Sequence, residues 1–284
     1  MEEIFASIEV GLIYSIVAIG IYLTFRIIDF PDLTCDGSFM SGAAVSGSLI
    51  ANGVSVMLAT ICAFIVGVVI GVVTGVLHIY CRVQNLLAGI LVAFMLYSIN
   101  MRIMGGISNI SLVGYKTIFS DISPILVLSC ILAFILCIFS YVLSTDFGLA
   151  ARAIGRNKSV CKTVGICISG ITLAMLGLSN GAIALSGSLM AQYQQLCDTS
   201  QGVGTLVVGF AGIFLGEQIF KGRFIIFSIL SCIAGSVLYR VIIAFALHAD
   251  LLHMEVYDVN LITGIIVTIV IYLTKIRISD DKNK

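Results

Sequence analysis

The stretch Val56-Met-Leu-Ala-Thr-Ile-Cys-Ala-Phe-Ile-Val-Gly67-Val-Val-Ile-Gly71-Val-Val-Thr-Gly75-Val-Leu-His-Ile-Tyr80 decides the fold class. It holds no Asp, Glu, Lys or Arg, and it is longer than the ~20 apolar residues that carry a helix across a bilayer. Its three glycines recur every four residues, which puts them on one helix face where a second helix can approach closely and pack by dispersion. Gly67, Gly71 and Gly75 are therefore read as helix-packing positions, either within this chain or at a seam between two copies. The pairs Gly177/Gly181 and Gly212/Gly216 repeat the spacing.

Outward from that stretch the pattern continues. Apolar runs cover roughly 8–25, 34–52, 56–80, 85–101, 123–144, 166–191, 203–220, 224–247 and 258–275. The expectation is an all-α, polytopic transmembrane bundle of about eight or nine spans, a single transmembrane domain over 1–284 with one larger cytoplasmic loop at 145–165. Segment 34–52 contains Asp36 and many Gly and Ser, so a broken or re-entrant course is open to it, provided other protein covers it. Ser123-Pro124 suits an N-cap followed by the first helical residue.

Composition agrees. Of 284 residues, 60% are hydrophobic and 11% charged, with 15 Lys+Arg balancing 15 Asp+Glu. Soluble domains average ~25% charged, so this chain cannot cover a water-facing surface. The balance excludes a nucleic-acid binder, which needs a basic excess. The acidic start, Met1-Glu2-Glu3, does not resemble a cleavable signal. The 9 Cys form no C-x-x-C pair and lie mostly in apolar runs, so they read as small packing residues. His78, His248 and His253 have no metal-ligand spacing, and no G-x-x-x-x-G-K-[ST] phosphate loop or nucleophile–base set is present. The chain is not expected to be an enzyme or to hold a cofactor or metal.

Lys and Arg set the orientation, since cytoplasmic loops carry the excess. Placing 145–165 inside, with Arg152, Arg156, Lys158 and Lys162, brings Arg26, Arg82, Lys221, Arg223, Lys275, Arg277, Lys282 and Lys284 to the same side, 12 of the 15 cations. Arg102 and Lys116 fall outside, and Arg240 within a span. The C-terminus is then cytoplasmic; the side of the N-terminus depends on whether 34–52 crosses. One internal near-match, Ser46-Gly-Ser-Leu-Ile-Ala51 against Ser186-Gly-Ser-Leu-Met-Ala191, admits both duplication and chance among small residues.

Ionisable groups inside a membrane default to functional candidates. Asp29, Asp32 and Asp36, three and four apart, would share one face of a helix, although Asp29 or Asp32 also suits a helix cap at the cytoplasmic edge. Asp36, Asn180 and Gln192 are the candidate pathway residues; Asn100, Gln194 and Gln195 are further uncharged polar groups, all open to the alternative of inter-helix hydrogen bonding. Glu217 is spaced to pair with Lys221.

The loop Thr145-Asp-Phe-Gly-Leu-Ala-Ala-Arg-Ala-Ile-Gly-Arg-Asn-Lys-Ser-Val-Cys-Lys-Thr-Val-Gly-Ile166 is longer than a connection requires. Good helix formers lie between Gly148 and Gly155, which suits a short helix beneath the membrane that docks a soluble partner; a basic loop that only sets orientation is the alternative. This loop, Gly11 to Gly20 with Ile27 to Ser38, and Leu178 to Gly181 with Ser186-Gly187, Ala191 to Tyr193, Gly202 to Gly204 and Gly216-Glu217 together resemble the permease subunits of ATP-binding-cassette importers. The likeness is to the branched-chain amino acid and ribose permease group, and within it to short permeases paired with a binding protein, some linked to aromatic amino acids. That resemblance implies a coupling helix gripped by a separate ATPase, with Ala150, Ala151, Arg152, Gly155, Asn157 and Gly165 as docking residues. Leu149 replaces the Glu that often precedes the two alanines, and the later Leu-Pro is missing. It further implies ATP and Mg on the partner ATP-binding subunits, an extracytoplasmic substrate-binding protein, a permease homodimer, and a place among lipids in a bacterial inner membrane. The competing classes are an ion-coupled secondary transporter, a membrane-embedded enzyme and an exporter.

Overall fold

The computed structural model describes residues 2–120, 122–219, 225–248 and 261–269. It is almost wholly helical. In chain order it contains α1 (Glu2–Ile21), a π-helical continuation (Tyr22–Ile27), α2 (Cys35–Ala51), α3 (Val56–Ile79), α4 (Asn85–Ile103), strand β1 (Asn109–Ser111), α5 (Pro124–Ser144), α6 (Asp146–Arg156), α7 (Lys158–Thr163), α8 (Ile168–Gln194), strand β2 (Leu196–Asp198), α9 (Thr205–Ile219) and α10 (Ile225–His248). Residues 261–269 are also helical. Ser123 has the extended backbone of an N-cap and Pro124 the first helical position.

Six helices among the described residues are long and apolar enough to cross a membrane: Phe5–Ile27, Val56–Ile79, Asn85–Ile103, Pro124–Ser144, Ile168–Gln194 and Ile225–Ala246. Two of the expected spans take another form. The 34–52 run is a continuous helix, α2, of 17 residues, and the irregular backbone lies ahead of it, at 28–34. Pro31 explains this: it fixes its own φ and turns the preceding residue away from helical geometry. Asp29 there adopts φ 51°. The 203–220 run shortens to α9, of 15 residues. The ninth run, 258–275, lies mostly outside the described residues, as do Lys221, Arg223 and the C-terminal cations that bore on orientation.

The contacts define two faces. β1 pairs antiparallel with β2, Asn109 opposite Asp198 and Ile110 opposite Cys197. The Tyr193 hydroxyl donates to Glu9 Oε2 at 2.8 Å, so the start of α1 lies on this face too. Since α1 leaves it and α2 returns to it, with Gly47 against Cys197, the segment through α2 does complete a crossing. The opposite face carries α6, α7, the end of the π-helix and the α3–α4 connection. Arg26, Arg82, Arg152, Arg156, Lys158 and Lys162 gather there and Arg102 and Lys116 on the strand face, so the face expected from the sequence to be cytoplasmic is the α6–α7 face.

The most extensive helix pair is α3 with α8. A Cβ at Gly67 would fall on the Asn180 carbonyl, one at Gly71 on the Leu176 carbonyl, and one at Gly75 against the Leu173 side chain at 2.6 Å. The glycine ridge is thus an internal seam that brings two backbones together, while Met57, Ile61, Ile65 and Val69 face outward. Gly212 and Gly216 serve α9 against α10 in the same way. The near-matching segments 46–51 and 186–191 end two helices that both rise to the strand face, so an inverted duplication does not relate them.

Candidate functional site

Asp32 and Asn180 form the centre of a buried polar cluster near the middle of α8. Asp32 is 4% exposed and Asn180 wholly buried. Asp32 Oδ1 accepts from the Thr34 backbone N–H at 2.9 Å and from its hydroxyl. Asp32 Oδ2 accepts from Asn180 Nδ2 at 2.7 Å. Asn180 Oδ1 accepts from Ser38 Oγ at 2.6 Å, and the Thr34 and Thr74 hydroxyls lie 3.0 Å apart. One carboxylate thus receives three donors, the condition for tolerating a polar group at such depth.

The three sequence-predicted pathway residues have separate places. Asn180 belongs to this cluster. Asp36, one helical turn further on, accepts the N–H of Gly204 at 3.2 Å and of Leu206 at 2.8 Å, capping the start of α9. Gln192 sits nearer the strand face, donating to Thr60 Oγ1 at 2.9 Å and Ser188 Oγ at 3.1 Å and accepting from the Ile118 N–H at 3.3 Å. Asp29, Asp32 and Asp36 do not share a helix face, because the first two precede α2: Asp29 is exposed and Asp32 buried. Asp32 does not cap α2: its bond from the Thr34 N–H closes a turn ahead of the helix, whose N-cap is Thr34. Its larger role, as the partner of Asn180, 148 residues away, had no local signal in the sequence. Asn100 is 2% exposed on α4, and its side-chain amide has no hydrogen-bond partner.

From β2 the chain runs inward. Cys197 lies against Gly47, yet Gly202 lies against the Asp36 carbonyl, about 16 Å lower at a helical rise of ~1.5 Å per residue. Two short helices, α2 and α9, therefore begin beside one another inside the bundle, each after an irregular limb. Half-helices of this kind place helix N-termini within the membrane where solute or ions pass in many transporters. Burial first, then the neighbouring Asp198 carboxylate, pushes the Cys197 thiol up to about 12.

At the cytoplasmic face the 145–165 loop is two helices rather than one. On α6, Gly148, Ala151 and Ile154 are buried. Gly155 lies so close to the Ile27 carbonyl that a Cβ would fall on its oxygen. Arg152 turns back to the Gly148 and Leu143 carbonyls at 3.2 and 3.3 Å. Asn157 caps α7, accepting from Ser159 and Val160 N–H, and Gly165 adopts φ 83° with open space around it. Ala151 and Gly155 thus face the chain's own bundle. The outer side presents Leu149, Arg156, Val160 and Val164, with Leu149 55% and Val164 72% exposed. Glu217 pairs with Arg26, Oε1 accepting from Nε at 2.7 Å. The pairing expected with Lys221 involves a residue outside the described set, and Arg26 already holds both carboxylate oxygens.

The comparisons with known proteins show the family. The family model for the branched-chain amino acid transport system / permease component matches residues 4–274. The chain belongs to that family. This ABC-type permease is 40% identical to a tyrosine transport system permease protein of Clostridioides difficile (strain R20291) over 268 residues, 94% of this chain and 90% of the relative. It is 34% identical to an uncharacterised protein of Rickettsia prowazekii (strain Madrid E) over 276 residues, 95% and 96% of the two chains. No solved structure matches it. Membership makes it a multi-pass membrane transport protein rather than one of a catalytic family, and permeases of this kind work with a partner ATPase and a binding protein in general.

Proposed function

We propose that this permease is the membrane subunit of an ATP-driven importer for an amino acid, tyrosine or a related aromatic solute, in a bacterial inner membrane. Two copies form a homodimer, an extracytoplasmic binding protein delivers the solute, and separate ATP-binding subunits, which hold the ATP and Mg, grip α6 and α7. This chain needs no cofactor of its own. Its C-terminus is cytoplasmic.

The observation that carries the reading is the two-sided character of α6. Its inner side is fastened to the bundle through Gly148, Ala151, Ile154 and Gly155, while Leu149, Val160 and Val164 stand exposed beside Arg156 and Lys158. Apolar residues ringed by cations on a water-facing surface suit a protein partner. Arg152 and Gly155 then act by seating the helix, and Leu149 and its neighbours by touching the ATPase.

The route inward follows from contacts. Gly155 bears on Ile27, the last residue of the π-helix; Arg26 beside it holds Glu217 near the end of α9; and the start of α9 hangs on Asp36 of α2. A push on α6 is thus handed to the two half-helices. Leu149→Arg combined with Val164→Asp should leave the permease folded and inserted but abolish co-purification with the ATPase and ATP-driven uptake into proteoliposomes. Normal uptake by that variant would overturn the docking assignment. The meeting of α2 and α9 at Asp36 favours, as a second reading, an ion-coupled secondary transporter; full uptake by this chain alone under an ion gradient, with no ATPase present, would establish it instead.

A further inference from the structure

Arg240 is the cation that the sequence places inside a span, and it has no carboxylate partner among the described residues. Its guanidinium carbon lies 4.1 Å from the centre of the Tyr14 ring, and its Nε is shut off from solvent with no hydrogen-bond partner. Arg26–Glu217 is the one ion pair among the described residues. Glu9, on the facing helix α1, is engaged by the Tyr193 hydroxyl instead. The guanidinium borders a cavity of about 250 Å³ lined by Ala6, Ser7, Val10, Tyr193, Ile243 and Ala244. Ala6 and Ser7 lie at the start of α1 and Tyr193 at the end of α8, so the cavity belongs to the strand face, opposite α6 and α7.

An aromatic face steadies a desolvated cation but does not match the planar fork of the guanidinium. That fork presents five donors in the plane that matches a carboxylate bidentately. A charge held in an apolar span with its buried Nε unmatched is a binding-site candidate rather than a packing device. We infer that Arg240 is the subsite for the carboxylate of a small solute entering from the extracytoplasmic face. This rests on the import reading and names a contact for its substrate. The cavity is smaller than the ~300–1,000 Å³ of a complete ligand pocket, so it takes the charged end of the solute and not the whole. An acidic lipid headgroup offers the same chemistry, and the test separates the two.

Saturation-transfer NMR detects weak binding to the purified full chain in phosphatidylcholine nanodiscs. L-tyrosine and 3-(4-hydroxyphenyl)propionate should both receive signal, and tyramine, which lacks the carboxylate, should not. Arg240→Gln should lower the acid signals at least roughly fivefold, and Arg240→Lys should keep an intermediate share, which preserves the test if the Gln variant does not fold. Equal signal from tyramine, or acid signals untouched in both variants, would overturn the assignment. Loss of the acid signals on adding phosphatidylglycerol would give the guanidinium to a lipid headgroup instead. Association with the ATPase, measured separately, distinguishes failure of this subsite from failure of the import reading.

Discussion

The limbs that lead into α2 and α9 do the same job with different means. Residues 28–34 carry the chain back into the bundle and supply their own polar partners: Asp32 satisfies Thr34 and reaches across to Asn180. Residues 199–204 also run inward, but the helix they open borrows its cap from elsewhere, Asp36 accepting the Gly204 and Leu206 N–H groups. The first limb is locked into the α3–α8 seam through Thr74 and Asn180. The second has local bonds, from Ser200 to Asp198 and from Gln201 to Gln194 and Leu196, and one to the Ser108 carbonyl, and Asp36 is the side chain of α2 that ties it to the neighbouring half-helix. Irregular backbone inside a membrane can thus be built as a fixture or as a joint, and its ties to the helices around it decide which.

Substitutions can break that contrast. Asp32→Ala leaves the Thr34 N–H unpaired in a dry interior and takes one of two acceptors from Asn180 Nδ2, which keeps the Leu176 carbonyl, a loss of about 1–3 kcal/mol, and should lower the melting temperature in detergent more than any other single polar change; Asp32→Asn should recover part of it. An Asp32→Ala protein as stable as wild type would end the claim that the first limb is the fixture. Asp36→Ala removes a cap, about 1–2 kcal/mol, and should make Thr205→Cys, at a buried position, react faster with maleimide while Thr34→Cys stays protected. Arg26→Gln breaks an exposed pair, worth under about 1 kcal/mol of stability, yet should lower ATP-driven uptake, because it cuts the link from the π-helix to α9. The smallest effect is expected of thiol chemistry itself. Cys81 and Cys167 are exposed at the cytoplasmic face and should label from that side; Cys161 is buried and makes a poorer reporter. Cys197, with its thiol pushed up to about 12, should stay unlabelled through neutral and mildly alkaline pH, since the thiolate is the reactive form. Rapid labelling there would show that the β1–β2 end opens.

The apolar runs and the glycine spacing made the bundle legible, because hydrophobic length and a four-residue repeat are local properties of the chain. A helix within the 145–165 loop was legible from the helix formers between Gly148 and Gly155, though the second, α7, was not. Which of its sides faces inward was not, since Gly155 is read correctly only beside the Ile27 carbonyl. Asp36 and Asn180 stood out as polar residues in apolar surroundings, but their partners lie 170 and 148 residues away. The broken course that the Gly/Ser content left open for 34–52 lies instead ahead of α2, and Pro31, which the sequence reading passed over, explains why. Glu217 shows the limit of spacing rules: an i+4 lysine is visible in sequence, while Arg26, 191 residues distant, is not.

The wide turn Tyr22–Ile27 has a mechanical consequence. Such bulges carry one residue more than an α-turn needs and occur often at working parts of proteins. A rod with that surplus stored at its foot can lengthen or shorten there while its upper three-quarters, wedged among neighbours, keep their register. Under the coupling proposed above, the first span would be a piston with slack at the driven end, taking up part of a motor's stroke before it reaches the far side of the membrane.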